Sequence, residues 1–321
     1  MTFRDNEDRE YERFCAKWTD GSGCIEAHTS GSTGAPKSIL LPKSDMVLSA
    51  RATNSFFGIN SESLLVVPLS ANYIAGKMMM VRAMEAGCRL WCERASNRPL
   101  ATSMEGWDDC AIDLVAIVPS QMEGLIASEH FGRVRNVIVG GAPMSEAQER
   151  MAAESGATFY ATYGMTETCS HVALRRCGEE WYRGLPGVRL TTDERGCLII
   201  EREGVTDPTP VVTNDIVELR NEREFRWVGR ADNVIISGGL KVSPEEVERK
   251  IGGLIARPFY VGKEGDEKWG ERPVLYIEGD GQIDAEGLRT KLKDVLARHE
   301  MPGRIEMVKQ IARTENGKIK R

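Results

Sequence analysis

Short apolar runs alternate with longer segments of helical period through the middle of the chain. The pattern predicts strands at Leu64–Pro68, Arg89–Cys92, Asp113–Pro119, Val134–Val139 and Thr158–Thr162. Helices are predicted between them near Asn72–Glu85, Ser120–Glu129 and Ser145–Glu154. Such βα alternation gives a mainly parallel sheet with helices on its faces, and ligands there collect at the loops beyond the carboxyl ends of the strands. After about Arg176 the texture changes to short strands and turns, at Gly196–Glu201, Asp215–Leu219 and Phe225–Gly229, and from about Ala231 to a compact αβ region. The expected fold is α/β. A large amino-terminal domain, 1–231, would hold mainly parallel sheets flanked by helices plus a short-stranded subdomain, and a small α+β domain, 232–321, would follow.

Composition narrows the partners. The 321 residues, 41% hydrophobic and 28% charged, are enough for two buried cores. With 42 basic residues against 48 acidic ones and a net charge of -6, no basic surface advertises nucleic acid or an anionic membrane. The longest stretch without a charge, Ser63–Gly76, is too short to span a bilayer, and Met1–Arg13 is dense in Asp, Glu and Arg where a secretory signal would be apolar. A cytoplasmic protein is expected, with no nucleic-acid or membrane partner; a homo-oligomer is left open. Eight scattered cysteines read as free thiols. Cys88 and Cys92 flank a strand-like run and lack the further ligands that zinc requires.

The densest chemistry lies in Thr29-Ser30-Gly31-Ser32-Thr33-Gly34-Ala35-Pro36-Lys37. Glycines let a backbone close around phosphate oxygens, hydroxyls and amides donate to them, and Lys37 adds a point charge. Gly31 to Ser38 nearly spells a Walker-type loop, but Pro36 stands where that loop needs its last glycine, and Ile39-Leu40-Leu41-Pro42 follows like a strand instead of a helix.

This loop resembles the T-S-G-[ST]-[ST]-G-x-P-K motif of the acyl-adenylate-forming ligase superfamily. Tyr163-Gly164-Met165-Thr166-Glu167 resembles its Y-G-x-T-E motif, and Thr213-Asn214-Asp215 its T-G-D, with Asn for Gly. Gly229-Arg230-Ala231-Asp232 and Gly238-Gly239 are similar to its hinge and glycine turn, and Asn316-Gly317-Lys318 to its terminal lysine motif. Taken singly, Glu167 and Asp215 suit a solvated surface, and Lys318 suits a frayed tail. The order of the motifs is what joins them. Relatives carry well over a hundred residues before the loop, whereas here there are 28, so an abbreviated amino-terminal domain is expected, with an acid pocket that is less enclosed or closed by a partner chain.

The resemblance implies ATP, Mg2+ and coenzyme A, and a carboxylate that attacks the α-phosphorus before a thiol displaces AMP. It implies that Thr29, Ser30, Gly31, Ser32, Thr33, Gly34 and Lys37 hold phosphates, and that Glu167 holds Mg2+. Tyr163 would stack on adenine beside Gly164, Gly141 and Ala142. Asp215 and Arg230 would hold the ribose, with Lys318, Thr166 and Glu167 catalytic. A mobile carboxyl-terminal domain would swing about Asp232, bringing Gly238, Gly239 and Lys241 to the pantetheine arm.

The Tyr73-Ile74-Ala75-Gly76 segment, Arg82 six residues after its glycine, and Thr166 to His171 look like 2-succinylbenzoate–CoA ligases of menaquinone synthesis. That acid carries a second carboxylate, for which Arg82, with Tyr73, Ser170 and His171, is the candidate holder. The plainer alternative has Arg82 snorkelling from a core helix. Another aryl- or acyl-CoA ligase, an enzyme that loads a carrier protein, and a nucleotide-binding regulator or phosphohydrolase are the competing functions. From Lys291 to Arg321 nine basic residues face four acidic ones, a pattern that a solvated helix face largely explains.

Overall fold

A computed structural model describes residues 2–5, 9–28, 38–101, 104, 106–107, 109–281, 283–313 and 319–321. The chain forms two compact units: Met1–Leu190 with Ile200–Val211 and Asn221–Glu224, and Thr191–Ile199 with Val212–Arg220 and Phe225–Arg321.

The first unit begins with β1 (Thr2–Asp5), α1 (Glu10–Thr19), the hairpin β2 (Cys24–His28) and β3 (Ser38–Pro42), and α2 (Lys43–Phe57). There follow β4 (Leu64–Val67), α3 (Ile74–Ala86), β5 (Arg89–Cys92), β6 (Ile112–Ile117), α4 (Met122–Ile126), β7 (Val134–Val139), α5 (Glu146–Glu154), β8 (Thr158–Gly164), β9 (His171–Arg176) and β10 (Tyr182–Gly184). Along the sheet the order runs β1-β5-β4-β6-β7-β8-β9-β10. The pairs from β1 through β8 are parallel, and β9 and β10 continue antiparallel. All four residues of β4 are buried, as a strand covered on both faces requires. The chain leaves β4 toward β5 on one side and enters β6 on the other, so the order reverses between β4 and β6, where open α/β sheets leave a crevice. Gln121, buried after β6, donates to Pro68 O and Ser96 O and ties the loops there together.

The predicted alternation holds with end shifts, and one helix is shorter. In place of Ser120–Glu129 there is a 3-10 turn at Pro119–Gln121 and then α4. Ser128 ends it: its hydroxyl accepts from His130 N, a local bond that competes with the helical ones, and donates to Leu100 O. The cysteines are all free thiols.

Four strands, β11 (Val188–Thr192), β12 (Cys197–Arg202), β13 (Val211–Asn221) and β14 (Glu224–Arg230), have residues in both units. The second unit continues with β15 (Ile235–Ser237), β16 (Leu240–Val242), α6 (Pro244–Ile251), β17 (Phe259–Asp266), β18 (Gly270–Glu278), α7 (Ala285–Lys293) and β19 (Arg304–Val308). β17 and β18 pair antiparallel, and β19 joins β18 parallel. Val247, Ile251, Val261, Leu275 and Leu292 are completely buried in its core. Ser243 and Asp284 cap α6 and α7. No helix among the described residues is long and apolar enough to cross a membrane.

Candidate active site

In the first unit Gly141, Ala142, Tyr163, Gly164, Thr166 and Glu167 stand at the carboxyl ends of the parallel strands β7 and β8. Gly141, in the left-handed region at φ 85°, follows β7, and Ala142 is next to it. β8 delivers Tyr163 and Gly164 opposite Ala173 and His171 of β9, with a bulge between them. A Cβ on Gly164 would lie 2.4 Å from Ser170 O and 2.5 Å from His171 Cα, so only glycine lets the two backbones approach. The turn that follows is closed by Thr168, whose hydroxyl donates to Met165 O and Ser170 O. Cys169, buried at φ 64°, completes it in a conformation side chains rarely adopt. Thr166 is thereby buried and the Glu167 side chain exposed. A hard carboxylate without a hydrogen bond or ion pair of its own among the described residues, placed at the strand ends, suits Mg2+.

Behind this turn lies a buried polar chain. Arg82 of α3 is 1% exposed and does not snorkel. Its Nη2 donates to Ser170 Oγ at 2.8 Å, its Nη1 meets Met79 Sδ at 3.5 Å, and its Nε has no partner among the described residues. Burial alone pushes its pKa down to about 9, so the guanidinium is still charged at neutral pH, with no carboxylate beside it among the described residues. His171 stacks next in the chain, Nε2 3.0 Å from Thr53 Oγ1 and Nδ1 3.5 Å from Ser170 Oγ. Burial first, and then the charge of Arg82, hold its pKa well below the ordinary histidine value, which makes it a neutral imidazole. Arg82, Ser170 and His171 are thus brought together. Tyr73 is not: it caps the start of α3, 58% exposed, about 13 Å of helix rise from Arg82.

The second unit gathers another set. Asp215, buried, accepts from Trp227 Nε1 at 3.2 Å and from Arg230 Nη1 at 3.3 Å. Arg230 Nη2 also reaches Asp232 at 3.1 Å. Burial lowers the Arg230 pKa, and Asp215 and Asp232 more than reverse this, leaving it raised. The asparagine that departs from T-G-D has a contact to explain it: Asn214 Nδ2 lies 3.4 Å from both Asp232 oxygens while its Oδ1 accepts from Arg195. Gly238 and Gly239 turn the β15–β16 hairpin at φ 58° and 81°, and a Cβ on Gly238 would meet the Trp269 ring at 2.7 Å. Lys241 is exposed on that hairpin, opposite Ile236.

Two stretches of candidates lie outside the described residues: the loop with Thr29, Ser30, Gly31, Ser32, Thr33, Gly34 and Lys37, and Lys318 near the chain end. Their flanks are described. His28 pairs with Ser38 in the β2–β3 hairpin, Arg313 bridges Ile319, and Lys320 N donates to Ala312 O. Thr53 and Trp227 carried no signal in the sequence, because their contacts depend on which elements become neighbours.

A parallel sheet with these turns at its strand ends, followed by an αβ unit that carries the hinge and lysine motifs, is the plan of an adenylate-forming α/β ligase. The chain belongs to the AMP-binding enzyme family, whose model matches residues 17–246. It is 30% identical over 311 residues to the 2-succinylbenzoate–CoA ligase of Salmonella typhimurium, covering 91% of this chain and 66% of that protein. Against the curated relatives of that name it spans about two thirds of their length. Among solved structures, an acyl-CoA synthetase (AMP-forming)/AMP-acid ligase II-like protein from Dyadobacter fermentans is 34% identical with a TM-score of 0.65, covering 98% of this chain and 93% of that one. E. coli MenE, with a phenylether-linked analogue of OSB-AMS bound, is 26% identical with a TM-score of 0.71, covering 88% of this chain and 65% of that one.

Proposed function

We propose that the chain is an ATP-dependent acid–CoA ligase whose acid is 2-succinylbenzoate. The observation that carries the substrate is Arg82, a buried cation that has an unpaired Nε and no counter-charge among the described residues. Burying a lone charge is costly, and proteins retain one where an anion is to meet it. A dicarboxylate with one group to activate and one to anchor fits, and the relatives' names agree.

In the first step a carboxylate oxygen attacks the α-phosphorus of ATP, and the bond to pyrophosphate breaks. Lys318 would neutralise charge as the two anions approach, Thr166 would assist catalysis, and the loop of Thr29 to Lys37 would hold the phosphates. Glu167 would hold Mg2+, which would supply positive charge to screen the phosphates. Tyr163 is the platform for adenine, flanked by Gly141, Ala142 and Gly164, and Asp215 and Arg230 hold the ribose. In the second step the CoA sulfur attacks the acyl carbon and AMP leaves. For this the 232–321 domain turns about Asp232 and brings Gly238, Gly239 and Lys241 to the thiol's arm. The cytoplasm supplies both ATP and CoA.

The test is incubation with Mg-ATP and a panel of carboxylates, with and without CoA, read by product mass. A thioester formed from 2-succinylbenzoate in preference to benzoate is expected. ADP as the nucleotide product would overturn adenylation, and equal turnover of the two acids would overturn the substrate.

A further inference from the structure

We propose that Tyr182, braced by Arg175 and Glu149, is a positioning residue that fixes the ring of Tyr163 and so strengthens binding of the adenine base. This rests on Tyr163 being the adenine platform.

β9 lies between the strands that carry the two rings, and they meet across it, centroids 6.0 Å apart and planes at 64°. This edge-to-face contact is favoured by aromatic quadrupoles and restrains rotation about the ring axis. Tyr182 is restrained in its turn. The Arg175 guanidinium carbon lies 5.2 Å from its ring centre, and that guanidinium grips Glu149 with both terminal nitrogens while donating to Glu179 O at 2.7 Å. Glu149 also accepts from Gly178 N. Arg175 and Glu149 side chains are 16% and 22% exposed.

The order of the layers carries the inference. A largely buried ion pair costs desolvation, and apolar side chains would fill the same space at no such cost. What a bidentate Arg–carboxylate pair adds is direction. Here the direction passes from a fixed cation to the Tyr182 face and from the Tyr182 ring to Tyr163, the residue whose ring plane decides how well a base stacks.

The experiment titrates the whole protein with ATP and, separately, with inorganic tripolyphosphate, which shares the phosphates and lacks the base. Tyr182→Leu is expected to weaken ATP about three- to tenfold, the weight of one aromatic pair, and to leave tripolyphosphate within about twofold. Tyr182→Phe, which keeps the ring, is expected to stay near the parent. Equal weakening of both ligands, or none, overturns the proposal. Tyr163→Leu separates the two ideas: if it weakens ATP and Tyr182→Leu does not, positioning alone falls. If Tyr163→Leu leaves ATP unchanged, the platform falls and the proposal with it. Should Tyr182→Leu not fold, Tyr182→Met makes the same comparison.

Discussion

Arg82 Nη2 stands 2.8 Å from Ser170 Oγ, and that hydroxyl is the one oxygen answering the buried guanidinium among the described residues. A protein that stores an unpaired charge loses stability in the empty state and recovers it when an anion arrives. Arg82→Met should therefore leave the unliganded protein as stable as the parent or raise its stability by about 1–3 kcal/mol. The same change should cut kcat/KM for 2-succinylbenzoate about tenfold or more, the weight of a charged hydrogen bond, and hardly affect benzoate. Urea unfolding and thioester kinetics with both acids measure this. A large loss of stability, or equal loss on both acids, would give Arg82 a structural role only.

His171 predicts an acid limit. Its folded pKa is lowered, by burial and then by Arg82, so below the ordinary histidine range the unfolded chain takes up a proton that the folded chain refuses. The stability from this residue is complete above about pH 6.5 and falls as pH drops from there, by at most about 1.4 kcal/mol per pH unit. His171→Gln, which can still bond Thr53, should flatten that slope. Urea midpoints between pH 7 and 5 test it, and identical slopes in the two proteins would contradict the assignment.

Gly164 makes a steric prediction. A methyl at this position would press on Ser170 O and His171 Cα, and strand backbone cannot yield as a side-chain tip can. Gly164→Ala should cost about 1–3 kcal/mol of stability and weaken ATP, because the turn bearing Thr166 and Glu167 hangs from that crossing. Gly21→Ala is the contrast: its added Cβ meets nothing within 4 Å, although φ there is 79°, so only backbone strain is expected.

The sheet was legible because its strands are continuous apolar runs. Leu64–Val67 announces a strand covered on both faces, and the glycines and prolines between runs mark the turns. The family was legible too, since its motifs set hydroxyls, glycines and charges at fixed spacing in the sequence itself. Other features were hidden for one physical reason: contacts across a sheet depend on strand order and register. Asn214 stands where T-G-D has glycine, and its contact was hidden until β13 and the segment after β14 placed its amide against Asp232. Arg82 could be read as snorkelling because periodicity shows the helical face and not the depth at which it is buried. Ser128 shortened α4 through bonds to Leu100, 28 residues away.

Arg321 carries the last prediction. Its guanidinium donates to both oxygens of Glu248, at 2.7 and 2.8 Å. It also donates to Val261 O and lies 5.9 Å from the Tyr260 ring centre. Burial raises the Glu248 pKa, and the hydrogen bond and charge of Arg321 oppose that rise. The anchor sits three residues beyond Lys318, and the Arg313–Ile319 bridge pins the chain on both sides of it. If Lys318 serves adenylation alone, loosening this anchor should damage one half-reaction and spare the other. Lys318→Ala should abolish pyrophosphate exchange into ATP yet leave thioester formation from supplied acyl-AMP largely intact. Arg321→Ala should follow the same split more weakly, slowing exchange about tenfold, as a modest misplacement of a reacting group does. Removing one partner of the Glu248 pair also costs stability, so the two half-reactions are compared in one preparation, where loss of folded protein would lower both equally. Parallel loss in either variant would mean that the lysine segment serves both steps, and the two-state assignment of the carboxyl-terminal domain would fail.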